Sequence, residues 1–416
     1  MNTKPKVLHL FHKSYPEYVG YTIRSHFILT HQRKFAHPYA LTRPFFIRKN
    51  EADSFEKVIY FRYPRNLWEE FFHYICTLKH LNLLKNFNEI YYNLLKLPKN
   101  YIKKIVNQYK IDIIHGHTPH TFSRLGQIVA HKKNLPFIYE VRGFWEDTMV
   151  ALGYFMETAK GYHLLRQNET NLMKKADAII TLGKMMKKEL ISRGLNKDKI
   201  HIVPNAVDLK KFHPIPPDYS LKKSLNINND IVIGYIGSIR KIEGLEILIK
   251  AITIVKKEIK NVKILLVGGF DRRYYFQLKR LIEELKLNDI ISFIGQIPLK
   301  EINRFYSIVD IIVIPRINTR LNSIVTPLKQ LEAMAMQKVV ITSDLPALRE
   351  FIKPGVSGDI FKAEDPNSLA KTILMYISDQ ELRKKLGESA KKFVEYNYDW
   401  NKIIERYRVI YNKILD

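Results

Sequence analysis

The stretch from residue 311 to 336, IIVIPRINTRLNSIVTPLKQLEAMAM, contains one strand, one loop and one helix in that order. Ile311–Ile314 is an uninterrupted apolar run that ends at Pro315, as expected of a buried strand. Thr326 and Pro327 are residue types that favour the N-cap and the first position of a helix. We therefore predict that a helix begins there, and that the loop before it leaves the sheet at the edge where α/β proteins bind ligands.

The same alternation of apolar strands and amphipathic helices extends along the chain in both directions, which is typical of parallel α/β architecture. The fold class that we predict is α/β, with two Rossmann-like doubly wound lobes and an interdomain cleft that binds ligands. The remaining predicted strands are Val7–Phe11, Val58–Phe61, Ile111–His115, Phe137–Glu140, Ala178–Thr181, Ile231–Ile236, Val262–Val267, Ile290–Ile294 and Val339–Thr342.

Four prolines in a polar stretch, at positions 204, 214, 216 and 217, indicate a linker between the lobes. The predicted domains are two Rossmann-like lobes, residues 1–206 and residues 207–398. Residues 399–416 form a predicted C-terminal helix that can pack back toward the first lobe.

Composition limits the classes of function. The 416 residues carry a net charge of +27, of which 33 basic and 16 acidic residues fall in residues 1–206. An anionic membrane surface and phosphorylated small molecules can both explain this charge, whereas the sequence has no nucleic-acid-binding motif, so we expect no nucleic acid partner. The sequence has one cysteine, Cys76, and no apolar run long enough to span a membrane. We expect a cytoplasmic protein, with peripheral contact at the inner face of the membrane left open.

The stretch Tyr63–Tyr109 is aromatic and rich in leucine and lysine. Its spacing predicts helices that pack on the sheet. The alternative is an amphipathic insertion that touches an anionic membrane.

The predicted helix start at Thr326 indicates a phosphate site. The backbone amides of Leu328 and Lys329 would point out of the helix, with the helix dipole behind them. Glu332 lies further along the same helix, where a carboxylate can accept two hydrogen bonds from a ribose diol. An ordinary capped helix with an exposed glutamate explains this segment equally well.

A second candidate phosphate loop follows the predicted strand Ile231–Ile236. Gly237 allows the backbone to approach a phosphate, and Ser238, Arg240 and Lys241 follow before a helix that we expect to begin at Leu245. The pattern is not the GxGxxG fingerprint of dinucleotide-binding proteins.

In the first lobe, His115-Gly116-His117 and Tyr139–Asp147 end neighbouring strands, so their polar groups should lie above the cleft. Two histidines with carboxylates could bind a metal, but we expect the spacing of two residues at a strand end to direct the rings apart. The sequence also lacks a DxD triplet. We predict no metal and no other cofactor.

Six segments in this order resemble the family-4 retaining glycosyltransferases with the GT-B fold. They are KADAIITLGKMMKKEL (175–190), VPNAVDLKKFHP (203–214), YIGSIRKIEGLEILIKAI (235–252), VDIIVIPR (309–316), TPLKQLEAMA (326–335) and LPALREFI (345–352). YPEYVGYTIRSH (15–26) is similar to the family's first glycine loop. The resemblance covers nearly the whole chain and implies transfer of a sugar from a nucleotide-diphosphate-sugar to a glycan or lipid-linked acceptor.

The resemblance also implies roles for particular residues. Arg240 or Lys241 would neutralise the leaving phosphate, and His117 with Arg142 would face the reacting sugar and the acceptor. The positions that would bind the donor are Gly20, Gly237, Ser238, Thr326, Pro327, Leu328, Lys329 and Glu332.

Three positions depart from the family pattern. Glu243 stands where a cation is usual, Ile324 or Ser323 where a glutamate is usual, and Ala206 where glycine is frequent. These departures leave sugar recognition open. The alternatives to a transferase are a GT-B sugar-nucleotide epimerase, a phosphorylase, and a non-catalytic protein that binds glycans or a membrane surface.

Overall fold

A computed structural model describes residues 4–15, 17, 19–43, 52–62, 87–227 and 229–416. The described residues form two compact units. Unit 1 comprises residues 1–182, 187–203 and 404–416, and unit 2 comprises residues 183–186 and 204–403. The main part of unit 2 begins at Pro204, and the C-terminal segment from Ile404 belongs to unit 1.

Unit 1 is built on an eight-stranded sheet with the order β3-β4-β2-β1-β5-β6-β7-β8. All neighbours pair in parallel except β3 and β4, which form an antiparallel edge. The strands are β1 (Lys6–Phe11), β2 (His37–Thr42), β3 (Ala52–Phe55), β4 (Val58–Arg62), β5 (Ile113–His117), β6 (Phe137–Val141), β7 (Ala178–Thr181) and β8 (Ile200–Ile202).

Helices lie between these strands. They are α1 (Gly20–Gln32), α2 (Phe87–Tyr109), α3 (His120–Lys132), α4 (Trp145–Ala151), α5 (Lys160–Lys174) and α6 (Lys184–Ser192). The last helix of the chain, Glu405–Leu415, also belongs to unit 1, and its Tyr407 and Tyr411 are fully buried.

Unit 2 is a six-stranded parallel sheet with the order β11-β10-β9-β12-β13-β14. Its strands are β9 (Ile231–Ile236), β10 (Val262–Val267), β11 (Ile291–Gly295), β12 (Ile311–Ile314), β13 (Val339–Ser343) and β14 (Asp359–Phe361). Apart from the half-buried Ile231, the β-branched residues of β9 and β12 are buried on both faces of the sheet, as is typical of parallel strands.

Helices cover the sheet of unit 2. They are α7 (Tyr219–Ser224), α8 (Leu245–Glu258), α9 (Arg272–Glu284), α10 (Ile302–Ile308), α11 (Arg320–Ile324), α12 (Lys329–Ala335), α13 (Pro366–Ser378), α14 (Gln380–Asn397) and α15 (Trp400–Ile403). The C-terminal helix of the sequence is thus two helices, α15 and α16 (Glu405–Leu415). The predicted α/β class with two Rossmann-like parallel sheets is confirmed.

Two parts of the sequence prediction fall wholly or partly outside the described residues. Residues 63–86 of the aromatic stretch Tyr63–Tyr109 are not described, and in α2 the side chains are described from residue 98 onward. Membrane contact through that stretch stays a prediction. No helix in the described part of the chain is both long enough and apolar enough to cross a bilayer.

Candidate functional site

The loop after β9 makes a tight turn at the carboxyl edge of the sheet in unit 2. Gly237 has a φ of 152°, and a Cβ built on it would lie 3.0 Å from the Nζ atom of Lys329. A single helical turn, Lys241–Glu243, follows and ends at Gly244, which has a φ of 66°. A Cβ on Gly244 would lie 2.2 Å from the carbonyl oxygen of Pro315. This loop is therefore packed backbone to backbone against the loop that follows β12.

The loop after β12 differs from its predicted form. Thr319 caps a short helix, α11, that the sequence prediction missed. Helix α12 begins at Lys329 with Leu328 as its N-cap, so Thr326 and Pro327 are not the helix start that we predicted. The reason is that Thr326 bonds to Asn205 instead. The side-chain amide of Asn205 donates to the carbonyl oxygen of Thr326 at 2.9 Å and to its hydroxyl at 3.3 Å.

Side chains from the two loops converge on one carboxylate. The Lys329 ammonium donates to Glu243 Oε2 at 2.8 Å and to the Tyr235 hydroxyl at 2.6 Å. Arg316 donates to both oxygens of Glu243, from Nε and Nη2, at 3.2 Å each. The Tyr235 hydroxyl in turn donates to the carbonyl of Ser238 at 2.8 Å. The two segments that we predicted separately as phosphate loops thus meet through Lys329.

The charges in this cluster alter each other's ionisation. Burial opposes ionisation of Glu243, but Arg316 and Lys329 outweigh it and lower the pKa of the carboxyl group to about 2. Burial lowers the pKa of the Lys329 ammonium to about 8, although Glu243 opposes the change. At neutral pH the group therefore contains two cations and one anion.

Glu332 lies one turn beyond Lys329 on α12. Its carboxylate accepts a long hydrogen bond of 3.5 Å from the Tyr306 hydroxyl. Burial raises the pKa of Glu332 to about 7, against the opposing effect of Lys329. A carboxyl group in this environment gains stability as an anion when a ligand supplies hydrogen-bond donors.

The cations named from the sequence lie elsewhere in the same loop. Arg240 and Lys241 are exposed, and so is Ser238, whereas the neighbouring Glu243 is buried. Sequence reasoning missed Arg316 and Tyr235 as members of the site. Two features of the sequence pointed to such a cluster. Glu243 is acidic at a position that is usually cationic, and Lys329 lies within the predicted phosphate loop.

In unit 1, the expectation that His115 and His117 point apart is wrong. Their rings stack with centroids 4.4 Å apart, because residues two apart on a strand face the same side of the sheet. His9 from β1 joins them, with its Nδ1 atom 3.0 Å from His117 Nε2. All three rings are buried, and burial lowers their pKa values.

Within the described residues, these three histidines are the group whose ligand atoms come close enough to suggest a metal. Four of the six ring nitrogens have protein partners: besides the contact between His9 and His117, His9 Nε2 lies 2.9 Å from Gln32 Oε1, and His115 Nδ1 lies 2.8 Å from the Tyr411 hydroxyl. His115 Nε2 and His117 Nδ1 have no hydrogen-bond partner among the described residues. The hydrogen-bonded arrangement satisfies much of the cluster without a metal. The expectation that the protein needs no metal stays a prediction.

Arg142 lies at the end of β6 beside a fully buried carboxylate, Glu140. Glu140 Oε1 accepts from Arg142 Nε at 2.9 Å and from Arg24 Nε at 3.2 Å, and Oε2 accepts from the Tyr407 hydroxyl at 2.8 Å. Burial would raise the pKa of Glu140, but the two arginines hold it well below its usual value. His117 lies in the same network, 3.8 Å from Glu140. The structure thus brings His117 and Arg142 together, and both are buried.

Gly20 is the first residue of α1 and is exposed. Val19 caps this helix through its backbone, and the Val19 amide donates to the Thr22 hydroxyl at 3.1 Å. Residues 16 and 18 of the preceding loop lie outside the described residues, and closure of this loop over a diphosphate stays a prediction.

Two family profiles match this chain. Glycosyl transferases group 1 matches residues 219–393, and Glycosyltransferase Family 4 matches residues 57–211. Between them they cover most of the chain, one profile falling largely on each unit.

Known proteins agree with these matches. A glycosyltransferase of Methanocaldococcus jannaschii is 26% identical over 245 residues, which span 59% of this chain and 60% of that protein. The capsular polysaccharide biosynthesis glycosyltransferase CapM of Staphylococcus aureus is 26% identical over 312 residues, 73% of this chain and 77% of that protein.

Solved structures share the fold over almost the full length. A glycosyltransferase of Rickettsia africae superposes with a TM-score of 0.76 at 18% identity, covering 99% of both chains. HepE of Anabaena, crystallised with UDP, superposes with a TM-score of 0.74 at 17% identity, covering 98% of this chain and 100% of its own. The two profiles show a glycosyltransferase of group 1. The solved structures show that the chain has the GT-B fold.

Proposed function

We propose that this glycosyltransferase transfers a sugar from a nucleotide-diphosphate-sugar to a hydroxyl group of a glycan or lipid-linked acceptor, in the synthesis of cell-surface polysaccharide. The observation that carries the proposal is the meeting of Gly237, at the end of β9, with Lys329, at the start of α12. A backbone without a side chain and a partly buried cation are thereby placed together at the carboxyl edge of a parallel sheet, where such folds bind phosphorylated ligands.

Further support comes from what related proteins do. CapM is named for capsular polysaccharide biosynthesis, and a relative in Salmonella typhimurium is a lipopolysaccharide N-acetylglucosaminetransferase. HepE has been crystallised with UDP-glucose. These names favour a nucleotide-sugar donor and a glycan acceptor for this chain.

Each group in unit 2 then has a role in donor binding. Glu332 accepts hydrogen bonds from the ribose hydroxyls, and its pKa of about 7 leaves it ready to ionise when these donors arrive. The amides of Leu328 and Lys329, with the loop from Gly237 to Lys241, surround the diphosphate. His117 and Arg142 in unit 1 belong to the lobe that binds the acceptor.

The reaction breaks the bond between the anomeric carbon and the β-phosphate oxygen, whose electron pair stays on the diphosphate. The acceptor oxygen forms the new bond to that carbon and releases its proton. Fixed cations stabilise the growing charge on the diphosphate, so we propose that turnover needs no metal ion. We also propose retention of the anomeric configuration, as in the family-4 enzymes that the sequence resembles.

The test is an assay of the full chain with a panel of nucleotide-sugars, with and without glycan acceptors and with and without EDTA. We expect nucleoside diphosphate to be released when an acceptor is added, an unchanged rate in EDTA, and a product with the donor's anomeric configuration by NMR. Glu332→Gln should weaken donor binding about tenfold, through loss of charge-assisted hydrogen bonds, while the exposed Glu388→Gln has no effect.

Three results would contradict parts of this proposal. Interconversion of the sugar nucleotide without release of nucleoside diphosphate would indicate an epimerase. Binding of glycans with no turnover of any donor would indicate a non-catalytic protein. Loss of turnover in EDTA that magnesium or manganese restores would overturn metal independence.

A further inference from the structure

The cluster of Glu243, Arg316 and Lys329 in unit 2 is built from two loops that are locked together. Asn322, on the second loop, donates from its side-chain amide to the carbonyls of Ile242, at 2.7 Å, and Ile317, at 2.9 Å. With the contact between Gly244 and Pro315 described above, these bonds fix the three charged side chains in one arrangement.

The two cations have more donors than the cluster uses. An ammonium group has three N–H bonds, and two of those on Lys329 meet Tyr235 and Glu243 among the described residues. Arg316 has five, of which two meet Glu243 and one meets the carbonyl of Val325 at 3.3 Å. One N–H of Lys329 and two of Arg316 are therefore available to a ligand at this site.

The side chains that carry these donors are partly exposed. The side chains of Lys329 and Arg316 are 13% and 11% exposed, and Glu243 is 7% exposed. The Lys329 ammonium also lies beside Gly237, where the chain has no side chain to block an approaching oxygen atom. Two cations and one anion leave the cluster with a net positive charge.

Among the described residues, the exposed cations Arg240 and Lys241 are not held in place by a carboxylate in this way. No ion pair with Arg240 or Lys241 is found within the described part of the chain, and both side chains face solvent. Long exposed side chains lose conformational entropy when they bind a ligand, whereas Lys329 and Arg316 are already held in place.

We propose that Lys329 and Arg316 are the cations that bind the donor's diphosphate and stabilise it as the leaving group, and that Glu243 is the residue that positions both. This inference rests on the nucleotide-sugar function proposed above. It reassigns to Lys329 and Arg316 the role that the sequence suggested for Arg240 or Lys241, and it explains why an acidic residue stands at position 243. The carboxylate orients two cations supplied by the facing loop.

The test uses the full chain and calorimetric titration with UDP, GDP, ADP and the corresponding monophosphates. Lys329→Gln should reduce affinity for the bound nucleoside diphosphate by about tenfold or more, because a charge-assisted contact to phosphate is lost. The preference for diphosphate over monophosphate should fall in the same variant. Lys329→Met provides a second variant of similar length, and the exposed Lys250→Gln on α8 is the matched control. Thermal unfolding checks that each variant is folded.

Glu243→Gln tests whether Glu243 positions the two cations. The measurement is the pH dependence of diphosphate affinity, which a change in folding alone would not shift. The Glu243 carboxylate keeps Lys329 protonated, so its loss should shift the alkaline fall in diphosphate affinity to lower pH by about one unit. Glu258→Gln, an exposed glutamate on α8, should leave this pH profile unchanged.

The possible failures are distinguishable. If the wild-type chain binds none of the nucleoside diphosphates, the proposed function is wrong. If it binds one and Lys329→Gln and Lys329→Met bind it equally well, this inference alone is wrong. A larger loss in Arg240→Gln or Lys241→Gln than in Lys329→Gln would return the role to the exposed cations, and an unchanged pH profile in Glu243→Gln would overturn the positioning role.

Discussion

In each unit of this protein, a buried glutamate lies between two cations near the carboxyl edge of the sheet. In unit 1, Glu140 is fully enclosed, and its arginines also bond to structural groups: Arg24 to the carbonyl of Val203 at 3.0 Å, and Arg142 to the Ser25 hydroxyl at 2.6 Å. In unit 2, Glu243 faces a lysine and an arginine that keep unused donors near solvent. The two clusters have similar charges, but they differ in how fully their cations are enclosed by the protein. We expect this enclosure to decide whether a cluster stabilises the fold or binds a ligand.

The largest effect that we expect is on unit 1. Glu140→Gln should lower the free energy of unfolding by about 3–5 kcal/mol, because Arg24 and Arg142 would be left buried without their counter-ion. Thermal and denaturant unfolding measure the change, with exposed Glu388→Gln as control. The corresponding Glu243→Gln should cost much less stability. Equal costs in the two variants would remove the distinction between a structural and a ligand-binding glutamate.

A third glutamate, Glu169, sharpens the comparison because no ion pair to it is found in the described part of the chain. Burial and the nearby Glu146 raise the pKa of Glu169 to about 8, with Asp147 adding to the rise and Arg193 and the Tyr139 hydroxyl opposing it. The native state then holds a proton that the unfolded state releases, so stability falls as pH rises from about 4.5 to about 8.

Glu169→Gln should therefore stabilise the protein by up to about 4 kcal/mol at pH 8, with little change at pH 4.5. A glutamine oxygen can still accept the hydrogen bond that Tyr139 donates at 2.5 Å. Melting temperatures of both proteins across this pH range provide the measurement. A gain that does not depend on pH would mean that Glu169 is ionised in the native state throughout.

The smallest effect concerns the pH range of nucleotide binding. Because Glu332 has a pKa of about 7 and Lys329 one of about 8, affinity for the nucleoside diphosphate should be highest between these values. It should fall by at most about tenfold per pH unit on either side. The phosphate of the ligand itself protonates near pH 6, so Glu332→Gln is the control. This variant should lose the part of the acidic fall that belongs to the protein. An identical acidic fall in wild type and variant would show that Glu332 does not bind the ribose as an anion.

The sequence predicted the main strands well, because long β-branched runs such as Ile231–Ile236 and Val262–Val267 have few alternatives. It missed four strands, because β3, β8 and β14 are only three or four residues long and β2 contains a proline, so that each depends on its neighbours in the sheet. The helix start at Thr326 was misplaced because the deciding contact comes from Asn205, 121 residues away.

The site shows the same limit. Glu332, Gly237 and the backbone amide of Lys329 were predicted as donor-binding from local pattern, since each belongs to a loop or helix start with a recognisable chemistry. The pairing of Lys329 with Glu243 spans 86 residues, and that of Arg316 with Glu243 spans 73. No local pattern encodes which charges will meet across two loops. Only the folded arrangement shows that, among the many lysines and arginines of the chain, Lys329 and Arg316 are the ones that meet Glu243.

The burial of Tyr407 and Tyr411 in unit 1 has a consequence for the order in which the protein forms during synthesis. Both tyrosines bond to groups near the centre of that unit, Tyr407 to Glu140 and Tyr411 to His115 and Gln32. All of unit 2 from Pro204 to Ile403 is translated before them. During synthesis on the ribosome, unit 1 therefore lacks part of its interior until the last residues are translated, whereas unit 2 can already fold. A chaperone or protease that recognises this incomplete stage would act on unit 1, although it is the first to emerge.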